Sequence, residues 1–221
     1  RNARPCWNVC IVEIGHPEMR NILPQNAIFV RQFSKAFVQV LDNITKDKGK
    51  SVWIEKTPGH LRSVEKIEKL VNNVRFVHIL RNGEDNIASM FEMGKKYPDA
   101  WGPWYGTLDQ CIQRWITDIG ISKNYALKEN HHLVRYEKLI ENPRMVLVDL
   151  CEFLGVPFEE MMLSDYSRSA DPLILEREPW KTSVHEPIWT VRKNRFDDFL
   201  NNEQRDYIRA HLPNDQLDGF L

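Results

Sequence analysis

No run of 18 apolar residues occurs in this chain of 221 residues, so none of its segments reads as a membrane-spanning helix. A surplus of either charge is missing too. With 30 basic and 31 acidic residues, the net charge of -1 gives no global pull towards nucleic acid or an anionic membrane; any anion site must be a local cluster. Cysteine is sparse, and Cys6, Cys10, Cys111 and Cys151 form no pair of pairs at zinc spacing. Cys6 and Cys10 could make at most a metal half-site. Cys111 and Cys151 fall at apolar positions of predicted helices and read as buried thiols, a usage that fits a reducing compartment. What remains is an ordinary globular composition, 42% hydrophobic and 28% charged, long enough for one α/β domain with a substantial core or for two small ones.

The stretch from Val74 to Met90 organises the reading. Val74 to Leu80 is a short apolar run rich in β-branched residues, closed by Arg81-Asn82-Gly83, and predicts a buried strand ending in a turn. Glu84 and Asp85 then favour a first helical turn, and Ile87, Met90 and Phe91 recur at helical spacing. Strand ends and helix amino termini converge on one edge of an open α/β sheet, where anions bind. Arg81 offers a planar fork to phosphate oxygens there, and Ser89 can complete the cradle.

Upstream, residues 1 to 26 contain Pro5, Pro17 and Pro24 and predict an irregular segment with one short element near Val9 to Ile14. From Ala27 to Lys46, Phe29, Phe33, Phe37, Val40 and Leu41 share a helical face. Ser51 to Glu55 reads as another strand, broken by the turn Lys56-Thr57-Pro58-Gly59-His60. Leu61, Val64, Ile67 and Leu70 predict the helix that leads to the strand before Arg81. This is a βαβ crossover, whose handedness would bring His60 and Arg81 to one sheet edge.

Downstream, Tyr97 to Tyr105 holds two prolines, a glycine and four aromatics; it predicts a loop that either folds onto the body or lines an acceptor pocket. Leu108, Ile112, Trp115 and Ile119 mark a long helix ending near Asn130, and His131 to Leu139 predicts a strand breaking into a turn. His131 and His132 are adjacent on that strand and face opposite ways, so they do not read as a metal pair. Asn142-Pro143 opens a helix that Gly155 stops. A short helix from Phe158 to Leu163, a polar loop from Ser164 to Pro187, the basic run Arg192 to Arg195 and a helix near Asn201 to Leu212 complete the chain.

Three of these passages resemble one family. Arg81 followed by Ser89 across a strand-to-helix turn is similar to the 3'-phosphate-binding segment of sulfotransferases that use 3'-phosphoadenosine 5'-phosphosulfate (PAPS), although Asn82-Gly83 stands where the family usually has Asp-Pro. Lys56-Thr57 with His60, twenty-one residues ahead of Arg81, resembles the family's catalytic turn. Arg135-Tyr136-Glu137-x-Leu139 with Pro143, on through Phe153-Leu154-Gly155, is the most specific match. The resemblance runs over about residues 51 to 200 and implies a single sulfotransferase-like domain over residues 1 to 221. Its fold would be α/β, a parallel sheet flanked by helices like that of P-loop NTPases.

The activity implied is transfer of a sulfuryl group from PAPS to a hydroxyl or amine of a small-molecule or carbohydrate acceptor, leaving 3',5'-adenosine bisphosphate (PAP), with no metal required. By the same resemblance, Arg81 and Ser89 hold the 3'-phosphate and Tyr136 the adenine. Arg192 and Lys193 wrap the phosphate from a late loop or form a solvated basic turn. His60 is the general base, with Glu55 as the alternative, and Lys56 stabilises charge near the transferring group. The family's glycine-containing 5'-phosphosulfate loop is found nowhere in residues 1 to 221, so the expectation is a domain incomplete at its amino terminus, weak in cofactor binding by itself. Localisation is expected to be cytoplasmic, or the Golgi lumen for a membrane-anchored eukaryotic parent. Two alternatives stay open: a non-catalytic relative serving as an interaction domain, and a P-loop nucleotide kinase, which would require magnesium.

Overall fold

The computed structural model describes residues 4–164 and 195–213, which fall into two compact units, Arg1–Val74 and Arg75–Leu221. The first unit opens with α1 (Arg4–Glu13), where a short irregular element was expected. Pro5 is tolerated because first-turn amides have no intrahelical partner. The reason for the helix is tertiary: Trp7 and Ile11, one turn apart, are buried with Leu23, Ala27, Ala36 and Val40, and the Trp7 indole donates to the Arg20 carbonyl at 3.1 Å. A 3-10 turn at Pro17–Ile22 leads to α2 (Val30–Asp47). Phe33 and Phe37 of α2 pack on that cluster as the helical face predicts, and Ile44 joins them. Phe29 does not join them; it stands ahead of the first turn, 65% exposed, where the Gln32 side chain accepts from the Ile28 and Phe29 amides.

The strand expected at Ser51 to Glu55 is absent. Trp53 and Glu55 are half-buried while Val52 and Ile54 are exposed, an alternation like that of a strand. No ladder partner takes it up among the described residues, whose strands are β1 (Phe76–Leu80) and β2 (His131–Arg135). The crossover expected between residues 51 and 80 is therefore not formed by paired strands. A 3-10 turn at Pro58–Ser63 and α3 (Val64–Leu70) close the unit.

In the second unit β1 and β2 run parallel, with Phe76 beside His131 and Leu80 beside Arg135. Their connection passes through α4 (Gly83–Lys96), α5 (Pro98–Tyr105) and α6 (Leu108–Tyr125), the long crossover that parallel strands require. One core holds Leu80, Ile87, Phe91, Ile112, Trp115 and Leu133. Each such side chain contributes about 1.5–3 kcal/mol by leaving water. Then follow α7 (Tyr136–Glu141), α8 (Pro143–Leu154), α9 (Met161–Ser164), α10 (Arg195–Phe199) and α11 (Asn202–His211). Helix α8 begins with Pro143 in its first turn and ends at Gly155, whose φ of 69° is the left-handed stop expected there. The architecture is α/β, a parallel sheet flanked by helices.

Helix α5 corrects the loop expected at Tyr97 to Tyr105. Pro98 occupies the first turn, Pro103 forfeits a single amide, and the Trp101 and Tyr105 rings stack at 5.5 Å one turn apart. Close approach to α4 holds it: a Cβ on Gly94 would lie 2.2 Å from the Tyr105 carbonyl oxygen and 2.6 Å from its carbon. Gly94→Ala would gain about 1 kcal/mol of helix propensity. The backbone clash, which costs about 1–3 kcal/mol, outweighs that gain, and a net loss of up to about 2 kcal/mol is expected, read as a lower urea midpoint. A midpoint unchanged or raised would mean that α5 is free to give way.

The strand histidines face opposite ways. His131 is buried, its ring stacked on Phe76 and Tyr125 at 4.5 and 4.7 Å, whereas His132 pairs with Asp149 at 3.3 Å and stacks on Phe153. Among the described residues no group of three or more His, Cys, Asp or Glu could hold a metal, and no helix is long and apolar enough to cross a membrane. Cys111 and Cys151 are buried, and burial pushes the Cys111 thiol up to about 12, so it stays protonated at neutral pH.

Candidate functional site

In the second unit the carboxyl ends of β1 and β2 deliver Arg81 and Tyr136. The main chain leaves β1 at Leu80, and Asn82 caps α4 by accepting from the Asp85 amide at 2.9 Å. Arg81 is thereby held between strand and helix. Its backbone carbonyl accepts from the Trp115 indole at 3.1 Å, which anchors its position whatever its side chain does. The guanidinium lies over the Tyr136 ring, 4.8 Å from the centroid, and its Nη2 is 3.5 Å from Asp85.

Glu137 braces the turn from the other strand. Its Oε1 accepts from both the Asn82 amide and the Asn82 side chain, each at 3.0 Å, and the residue is 9% exposed. An aspartate at 82, the family's usual residue, would set its carboxylate against Glu137 and Asp85. The amide instead donates to both, which accounts for asparagine here.

The donors suit an anion. Arg81 Nε is buried without a hydrogen-bond partner, and a phosphate oxygen would satisfy it. Asp85 Oδ1 is likewise unpartnered, and Arg135 Nε and Glu137 Oε2, 3.6 Å apart, make no hydrogen bond either. Each arginine of the cluster is already flanked by a carboxylate, so an arriving anion shares a fork that is oriented in advance rather than one free to swing.

Ser89, two turns further along α4, has a guanidinium partner that sequence reasoning missed. Arg195 Nη1 donates to Ser89 Oγ at 3.2 Å and to Glu92 at 2.9 Å. The basic run before α10 pointed to Arg192 and Lys193, which lie outside the described residues; nothing local distinguished Arg195 as the one that reaches α4.

In the first unit Glu55 and His60, the two alternative bases, are joined to each other. Glu55 Oε2 meets His60 Nδ1 at 2.6 Å, and the Thr57 hydroxyl donates to Glu55 Oε1 at 2.5 Å. The His60 amide donates to the Thr57 carbonyl at 2.9 Å, closing the turn that returns the ring to the carboxylate. Lys56, between them in sequence, is exposed.

Comparison with known proteins adds the chemistry. The Sulfotransferase family pattern matches residues 12–160, more than half of the chain. Carbohydrate sulfotransferase 1 of Rattus norvegicus and that of Mus musculus are each 27% identical over 100 residues, which is 39% of this chain and 24% of theirs. The match thus spans about a quarter of the length of those relatives. Among solved structures, the sulfotransferase domain from the curacin biosynthetic pathway aligns with a TM-score of 0.50 at 26% identity, over 58% of this chain and 47% of that one. The sulfotransferase domain from the Synechococcus PCC 7002 olefin synthase aligns with a TM-score of 0.55 over 94% of this chain and 82% of its own, sharing the fold at 18% identity. A pattern match across most of the chain, a shared fold and an arginine-lined edge of a parallel sheet lead to one conclusion: the chain belongs to the sulfotransferase family.

Proposed function

We propose that the protein transfers a sulfuryl group from PAPS to a hydroxyl or amine of its acceptor. One observation carries the reading: in a member of this family, the Arg81 guanidinium sits at the end of β1 over the Tyr136 ring with a buried, unpartnered Nε. Arg81 takes the 3'-phosphate, with Ser89 and Arg195 as further donors and Arg192 and Lys193, outside the described residues, as further candidates. Tyr136 takes the adenine. Lys56 stabilises charge on the transferring group, and the Glu55–His60 pair takes the acceptor proton. The acceptor oxygen or nitrogen forms the new bond to sulfur, the bond from sulfur to the phosphate oxygen breaks, and PAP leaves with the electron pair. A carbohydrate hydroxyl is the acceptor class that the name of the rat and mouse relatives supports. The family match runs through both units, which supports one sulfotransferase-like domain over residues 1–221.

The test is thermal stabilisation by PAP without added metal. At a ligand concentration about 100-fold above its dissociation constant, the native state should gain about 2.7 kcal/mol, seen as a raised melting temperature. A shift that needs magnesium and ATP would transfer the protein to the kinases. No shift with PAP would overturn the reading.

A further inference from the structure

We infer that Glu55 and His60 are one device, with Thr57 as its positioning residue; this rests on the sulfotransferase reading of His60. A carboxylate carries no proton to give, so the Glu55 Oε2 charge 2.6 Å from His60 Nδ1 favours the imidazole proton on that nitrogen. The Nε2 lone pair is then the free one, on a ring whose side chain is 47% exposed. That nitrogen takes the acceptor proton as the sulfuryl group moves, and the imidazolium formed is held against Glu55 until the proton passes to solvent.

Glu55 does not serve as the base by itself. Both of its oxygens are already engaged, Oε2 against the His60 ring and Oε1 accepting from the Thr57 hydroxyl. The side chain is 24% exposed, about half as open as the histidine. Thr57 holds Oε1 and so stops the carboxylate from rotating, which aims Oε2 at Nδ1. The backbone assists: Thr57 is extended, at φ -128° and ψ 118°, and Pro58 opens the 3-10 turn that carries His60 back over Glu55. Three side chains within six residues thus settle which nitrogen of the ring is bare.

The experiment reads the imidazole nitrogens of the full chain by nitrogen NMR, at a pH where His60 is neutral. In the wild type the expected spectrum is that of a single tautomer, protonated at Nδ1. Thr57→Val, which keeps the shape and loses the hydroxyl, should give a mixture of tautomers, and Thr57→Ser should restore the single one. A wild type protonated at Nε2, or a Thr57→Val spectrum identical to wild type, overturns the inference while leaving the family activity standing. The expected spectra together with no response to PAP would instead overturn the sulfotransferase reading and keep the linked trio.

Discussion

Replacing Arg81 by alanine should raise the dissociation constant for PAP by roughly ten- to a hundredfold, the range that corresponds to losing a hydrogen bond to a charged group of about 1.5–3 kcal/mol. Three features place the effect at the upper end. The fork of Arg81 is held over the Tyr136 ring, so the cation is oriented before the anion arrives. Its Nε is buried without a partner, a donor that gains a bond when phosphate enters. Asp85, now facing the guanidinium at 3.5 Å, would be left to repel the nucleotide once that charge is gone. The fold should survive, because the Trp115 indole bonds to the main-chain carbonyl of residue 81 and not to its side chain. Arg81→Lys should fall between the two, keeping the charge and losing the planar fork. Calorimetric titration with PAP reads all three proteins. Equal affinities would remove Arg81 from the site.

Acid should destabilise the second unit through His78. The hydrogen bonds around this buried residue run in one direction. Ser122 Oγ donates to the Asp118 carbonyl at 3.1 Å, so it accepts from His78 Nδ1 at 3.0 Å, which leaves His78 Nε2 to accept from His131 Nδ1 at 2.9 Å. A second proton on His78 would set two N–H groups against each other. Burial foremost, and then the neighbouring His131, lower His78 from 6.5 to about 4.

The sign follows from proton counting. Between these two values the unfolded chain binds a proton that the folded chain refuses, so stability rises with pH there and is lost as pH falls from 6.5 towards 4. Across the whole window the loss is about 3 kcal/mol, and between about pH 7 and about pH 5 it is about 2 kcal/mol. A small domain has only about 5–15 kcal/mol in total, so this is a large share. Urea titrations of wild type and His78→Gln at the two pH values isolate it. The wild type should lose about 2 kcal/mol more than the variant over that interval. Parallel losses would show that His78 carries no such burden.

How far the site could be read in advance depended on the range of the forces that build it. The passage from Leu80 through Asn82 into α4, the start of α8 at Pro143 and its stop at Gly155 obey near-neighbour rules of backbone geometry and capping, and each was legible residue by residue. Glu55 and His60 stood in the sequence as alternative bases, and their contact across a single turn is shown by the structure. Short stretches misled where they met packing. Ser51 to Glu55 holds three apolar residues in a row, yet a strand exists only when another chain segment accepts its ladder bonds. Tyr97 to Tyr105 carries two prolines, yet contact of α5 with Gly94 outweighed them.

Motif spacing and local turns marked the β1 edge as the place for an anion, because those signals lie within a few bonds of Arg81. Composition likewise excluded a membrane-spanning stretch and a zinc framework. Which side chains meet within the second unit was a matter of folding: Arg195 reaches Ser89 across 106 positions, Glu137 braces Asn82 across 55, and His78 finds Ser122 across 44. Such contacts are chosen by how helices and strands stack, and burial rewards many pairings about equally until three dimensions select one.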